Sequence, residues 1–106
     1  MCGFAGEFCF DRTASTEITD RMARKILHRG PDEQQHRCSP DGRLAISFNR
    51  LSIIDPDGSS QPMTTADGSA VLACNGEIYN YQTLRKKTAY PYVTKGDTEV
   101  ALAVLH

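Results

Sequence analysis

Turn-forming pairs constrain this chain more than any other feature of its sequence. Gly30-Pro31, Pro40 with Asp41-Gly42, Pro56 with Asp57-Gly58, Asp67-Gly68 and Asn75-Gly76 divide it into short segments. Proline cannot continue a helix and restricts the residue before it, while Asp-Gly and Asn-Gly supply the backbone conformations of tight turns. Long helices are thereby excluded, and short strands and helices in one small α+β unit are expected. At 106 residues the chain suffices for one domain with one hydrophobic core.

Composition removes several function classes. Twelve basic against thirteen acidic side chains leave a net charge of -1, which is no electrostatic footprint for nucleic acid or an anionic membrane. No apolar run approaches the ~20 residues that span a bilayer. The N-terminus lacks the basic segment and apolar core of a secretory signal, so a reducing, cytoplasmic setting is expected. Cys2, Cys9, Cys38 and Cys74 are irregularly spaced, without a CxxC pair. Neither they nor His28 and His36 match a familiar metal pattern, so no metal site is expected.

Along the chain, Cys2 to Phe10 alternates with period two and predicts a strand whose Phe4, Phe8 and Phe10 face is core. A helix is predicted to begin near Ser15 or Thr16, with Glu17 in its first turn. Ile18, Met22 and Ile26, with Ala23 and Leu27, mark its apolar face, and Gly30-Pro31 ends it. His28 to Asp32 then reads as a helix stop with Arg29 and Asp32 pairing locally. Residues 35–39 and 44–48 predict a hairpin across Ser39 to Gly42, with Leu44, Ile46 and Phe48 inward. Residues 50–55 continue as an extended segment and 56–60 as a loop. A second turn is expected at Ala66 to Ser69 and a short buried strand at Ala70 to Cys74. Asn75-Gly76 would ordinarily signal a hairpin, but residues 79–87 read as a helix capped at or near Asn80. Tyr90 to Thr94 is a further strand candidate, and Asp97 opens a last helix that the sequence leaves at His106.

The first residues carry a chemical signal. If Met1 is removed, as the small side chain of Cys2 permits, a thiol and a free α-amine stand on one residue. An α-amine has a pKa of roughly 8 and can take the thiol proton through a water. The thiolate it leaves is the attacking species at a carbonyl carbon. N-terminal nucleophiles of this kind are a variant of the catalytic triad.

Six motifs then occur in order: Met1-Cys2-Gly3, HRGPD at 28–32, RLSIID at 50–55, Gln61-Pro62, NGEIYNY at 75–81 and GDTEV at 96–100. Together they resemble the N-terminal glutaminase domain of glutamine-dependent asparagine synthetases, class II amidotransferases of the N-terminal-nucleophile hydrolase type. The resemblance covers essentially the whole chain. Asn49 to Ser52 differs from the H-x-R-[WY]-[ST]-T type segment of amidotransferases that make glucosamine phosphate or phosphoribosylamine. A sibling amidotransferase with another acceptor and a truncated, non-catalytic remnant are the alternatives.

The resemblance implies a four-layer αββα sandwich, of which residues 1–106 would be the N-terminal part. It implies Cys2 as nucleophile with its own α-amine as base, and an oxyanion hole from the Asn75 side chain and the Gly76 N–H. Arg50 would grip the α-carboxylate of L-glutamine, with Glu77 and Asp97 on its other polar groups and Asp97 aimed at the α-ammonium. The ordinary alternatives are a surface ion pair for Arg50 and a helix N-cap for Asp97. Ser47-Phe48 stands where many relatives have Gly-His, and Gly96 where serine is common. No cofactor is implied for this chain. ATP and Mg2+ belong to a synthetase domain that relatives carry on the same polypeptide, and further strands of the glutaminase domain are also expected beyond residue 106. Sheets without those strands would keep unpaired edges and uncovered faces.

Overall fold

The computed structural model describes residues 2–51 and 60–106; the extended run expected at 52–55 and the loop expected at 56–59 lie outside the described residues. Three antiparallel strands form the main sheet: β1 (Gly3–Phe8), β2 (Glu33–Cys38) and β3 (Leu44–Arg50), in the order β1-β3-β2. Two short strands, β4 (Met63–Thr64) and β5 (Val71–Leu72), pair antiparallel in a second ladder. Helix α1 (Thr16–Lys25) covers one face of the main sheet, and α2 (Tyr81–Lys87) and α3 (Asp97–Leu105) belong with the second ladder. The result is a mixed helix and sheet fold, as the turn pattern requires. No helix among the described residues is long and apolar enough to cross a membrane.

Local chemistry explains most boundaries. Ser15 caps α1 by accepting from the Ile18 N–H at 3.3 Å. Glu17 stands in its first turn and Arg24 and Lys25 in its last, matching the helix dipole. The β2–β3 hairpin closes on Gly42, whose φ of 71° is open to glycine and whose N–H donates to the Ser39 carbonyl at 2.9 Å. Gly68, at φ 74°, turns the β4–β5 hairpin. Asn80 is the N-cap residue of α2.

Several expectations are corrected. Helix α1 stops at Lys25 rather than at Gly30. The Ile26 N–H turns back to the carbonyls of Ala23 and Arg24, and a 3-10 turn over Leu27–Arg29 follows. Residues 90–94 form no strand, because the N–H groups of Val93 and Thr94 bond the Glu99 carboxylate at 2.8 and 2.6 Å instead of a neighbouring strand. The run at 70–74, expected as a buried strand, is only half-buried and is strand only over Val71–Leu72.

The largest correction concerns which face is core. Phe4, Phe8 and Phe10 are 47%, 56% and 81% exposed, although Phe48 on the same side of the sheet is buried. Helix α1 packs on the opposite face, which Gly3 and Ala5 of β1 share with Ala45, Ser47 and Asn49 of β3, while Cys9 clusters with Ala14 and Ala45. The helix's own contribution is Thr19 and Ala23, while Ile18 and Met22 remain largely exposed. Small residues let helix and sheet approach closely, and polar ones bond across the gap, although the buried Asn49 Oδ1 is left without a partner among the described residues. Ser47 Oγ donates to Thr19 Oγ1 at 2.8 Å, and Asn49 Nδ2 donates to the Ala23 carbonyl at 2.6 Å. Period-two alternation predicts two faces, but the partner helix decides which one is buried.

Candidate functional site

The sheet register sets the first part of the site. Gly3 pairs with Asn49 and Glu33 with Arg50. Arg50 and Glu33 lie on the phenylalanine side, away from α1, and Cys2 stands just before β1 at that end of the sheet.

Cys2 is half-buried and held against the end of β3. Its Sγ lies 3.4 Å from the Leu51 nitrogen, which donates to it, and 3.8 Å from the Leu51 carbonyl. Its own carbonyl accepts from Arg29 Nε at 3.2 Å. Arg29 therefore serves the N-terminal strand, which a purely local pairing with Asp32 does not anticipate. The same HRGPD turn reaches Arg50, whose carbonyl accepts from the Asp32 N–H at 3.0 Å. Between them Gly30 meets the β3 backbone so closely that an ideal Cβ would lie 2.4 Å from the Asn49 oxygen. The turn is a clamp on both Cys2 and Arg50. Its signal in the sequence is the motif's place directly before the strand that pairs with β3.

Arg50 is buried, at 8% exposure, which sets it apart from a surface ion pair. Its Nη1 lies 3.3 Å from Glu33 Oε2. Glu33 Oε1 accepts from Gln35 Nε2 at 2.7 Å and from Ser60 Oγ at 3.1 Å. The Gln35 amide, followed by the Ser60 hydroxyl and Arg50, holds the Glu33 carboxyl below the usual carboxylate range despite partial burial.

The second part of the site is the loop after β5. Gln61, buried, accepts from the Cys74 N–H at 2.7 Å and donates from Nε2 to Thr98 Oγ1 at 3.4 Å. Asp97 Oδ2 accepts from the Ile78 N–H at 2.7 Å. Gln61 and Asp97 thus pin the two ends of the Asn75-Gly76-Glu77 segment to α3. Asp97 is the first residue of α3, not its N-cap, which is Gly96. Asn75, Gly76 and Glu77 are all exposed, and among the described residues no hydrogen bond joins them to Cys2.

Beside Arg50 and Glu33 lies an open cavity of about 710 Å³, with Ser60, Tyr90, Thr94 and Glu99 also in its walls. That size accommodates an amino acid. Cys2, Asn75 and Gly76 are not among its wall residues. The structure sets Cys2 against Leu51, the residue after Arg50, and ties Asp97 to the loop that carries Asn75; of these residues, Arg50 lines the cavity. Burial pushes the thiols of Cys9 and Cys74 above their usual range, with the Asp97 carboxylate adding to the effect at Cys74. Both therefore stay protonated and poorly nucleophilic. No cluster of three or more His, Cys, Asp or Glu among the described residues could hold a metal ion.

Comparison with known proteins agrees with these motifs. The glutamine amidotransferase domain family matches residues 1–106. Asparagine synthetase [glutamine-hydrolyzing] 1 of Bacillus subtilis (strain 168) is 40% identical over 110 residues, covering 97% of this chain and 17% of the relative. Asparagine synthetase B [glutamine-hydrolyzing] of Escherichia coli (strain K12) is 38% identical over 109 residues, 98% of this chain and 19% of its own length. Asparagine synthetase [glutamine-hydrolyzing] 2 of Arabidopsis thaliana is 37% identical over 103 residues, covering 94% and 18%. The chain thus spans less than a fifth of the curated relatives it matches. It belongs to the glutamine amidotransferase domain family.

Proposed function

We propose that this chain is the glutaminase part of an asparagine synthetase, hydrolysing L-glutamine to glutamate and ammonia through a γ-glutamyl thioester on Cys2. The observation that supports this reading is that one turn, His28 to Asp32, holds the Cys2 backbone through Arg29 and the Arg50 backbone through Asp32. A thiol and a planar guanidinium suited to a carboxylate thus belong to one end of the sheet. With Met1 removed, the Cys2 amine takes the thiol proton and the thiolate attacks the γ-carbonyl carbon. The oxyanion is received by the Asn75 amide and the Gly76 N–H, each such donor being worth ~10²–10³ in rate. The carbonyl re-forms as the C–N bond breaks, and the leaving amine takes the proton from the Cys2 ammonium. Water then attacks the thioester, releasing glutamate and restoring the thiol. Asp97 receives the α-ammonium and Glu77 the remaining polar groups. For that, the Asn75 segment must come to Cys2, a movement of one pinned loop.

The ammonia would serve a synthetase domain on the same polypeptide, where ATP and Mg2+ activate aspartate; the setting this implies is cytoplasmic. The uncovered Phe4, Phe8 and Phe10 face supports the four-layer αββα sandwich, since an exposed aromatic face of this kind calls for a second sheet upon it. Residues 1–106 would then be the N-terminal part of that domain.

Glutamate release by the full chain, assayed with Arg50→Lys alongside, tests the reading. Lysine keeps the charge and loses the two-pronged grip, so glutamine KM should rise about tenfold while kcat falls less. An unchanged KM would remove Arg50 from the binding site.

A further inference from the structure

We propose that Glu99 is a specificity-determining residue whose buried carboxylate makes the cavity favour ligands carrying an α-ammonium. This rests on the glutaminase reading given above.

Glu99 stands in the first turn of α3 at 3% exposure and lines the cavity. Both of its oxygens act as acceptors. Oε1 takes the Val93 N–H at 2.8 Å, and Oε2 takes the Thr94 N–H and the Thr94 hydroxyl at 2.6 Å each. These donors offset the cost of removing a carboxylate from water, but all three are neutral and leave its charge in place. Among the described residues no cation pairs with it. The other charged groups of the wall are engaged elsewhere. Glu33 lies 3.3 Å from Arg50 Nη1, and Arg37 Nη1 donates to the carbonyl of His36 on its own strand at 2.8 Å. Asp97, two residues before Glu99, holds the Ile78 N–H and does not line the cavity. Glu99 thus gives the wall a fixed negative charge that no ion pair cancels. Such a charge is screened less than one on the surface, so it favours a cationic group in the cavity over a neutral one. Glutamine carries one cationic group, its α-ammonium. The carboxylate is held by residues 93–94, so the attraction works through its charge and needs no direct bond. It adds to the role given to Asp97.

The test is calorimetric titration of two ligands into the full chain carrying Cys2→Ala, with and without Glu99→Gln. One ligand is L-glutamine, and the other is glutaramate, which is glutamine without its α-amino group. The quantity read is the ratio of the glutaramate Kd to the glutamine Kd. Glu99→Gln should lower that ratio about 3- to 10-fold, the scale of a charge interaction in a partly solvated site. A role confined to shaping the wall would weaken both ligands alike and leave the ratio unmoved. Thr94→Val, which removes one hydrogen bond and keeps the charge, should leave the ratio as it was. Glu99→Asp should also preserve it, even where both affinities fall, and keeps the test in force if Glu99→Gln does not fold. An unchanged ratio with folded Glu99→Gln, a loss of preference with Glu99→Asp, or no binding of glutamine by the Cys2→Ala parent overturns the proposal. Glutamate release by the unaltered chain is measured separately. Its absence would defeat the glutaminase reading even where the preference for the α-ammonium stands.

Discussion

Replacing Cys2 with alanine in the full chain should lower glutamine-dependent glutamate release by ~10⁴-fold or more, the scale on which loss of a nucleophile acts. No other thiol can take over. Cys9 and Cys74 are kept protonated by burial, and Cys38 lies exposed on edge strand β2. Where the chain is joined to a synthetase domain, product formation from added ammonia should continue, because only the glutaminase part needs a thiolate. The alanine removes the contacts of Sγ with Leu51 at 3.4 and 3.8 Å and little else, so the fold should persist. Equal loss of both activities in a folded variant would count against Cys2 as the nucleophile.

Gly30→Ala should be among the most damaging substitutions to the fold. Its Cβ would lie 2.4, 2.5 and 2.7 Å from backbone atoms of Asn49 and Arg50 in the central strand, which cannot give way as a side chain can. Overpacking typically costs about 1–3 kcal/mol, and backbone against backbone belongs at or beyond the upper end. A domain of this size has only ~5–15 kcal/mol of stability in all. A fall in Tm of more than about 10 °C is expected. The displaced strand also carries Arg50, so glutamine KM should rise in whatever folded protein remains. Gly3→Ala is the informative comparison. There the added carbon meets the Ile26 Cδ1 at 3.0 Å, the tip of a side chain that can turn aside. It should cost markedly less. A Gly30→Ala protein melting within two or three degrees of the parent, a margin well below one such contact, would show that the HRGPD turn does not clamp β3 as described.

Elements with a local cause were legible in the sequence. Ser15 announces the start of α1 and caps it, Asp41-Gly42 announces the hairpin and turns it, and Asn80 stands at the start of α2. What was not legible depended on distant partners. Phe4 and Phe8 alternate as core residues do, yet the helix covers the other face, where Gly3, Ala45 and Ser47 let it approach. Ile18 and Met22 have helical spacing, but Thr19 and Ala23 make the contact. Of the candidate site, Cys2 and Arg50 are named from motifs alone, and the HRGPD turn holds the backbone of both. Arg29 and Glu33 were missed as members of that site. Each acts through a residue distant in sequence, Cys2 for Arg29 and Arg50 for Glu33, and neither long-range contact has a local pattern.

The central claim is that Cys2 works as an amino-terminal residue, its own amine serving as base. It is tested most directly by measuring glutamate release from preparations in which mass spectrometry gives the fraction of chains lacking Met1. Activity should rise in proportion to that fraction and vanish when a residue inserted after Met1 prevents its removal. Full turnover by chains that retain Met1 would contradict the account, since the Cys2 nitrogen would then be an amide and could accept no proton.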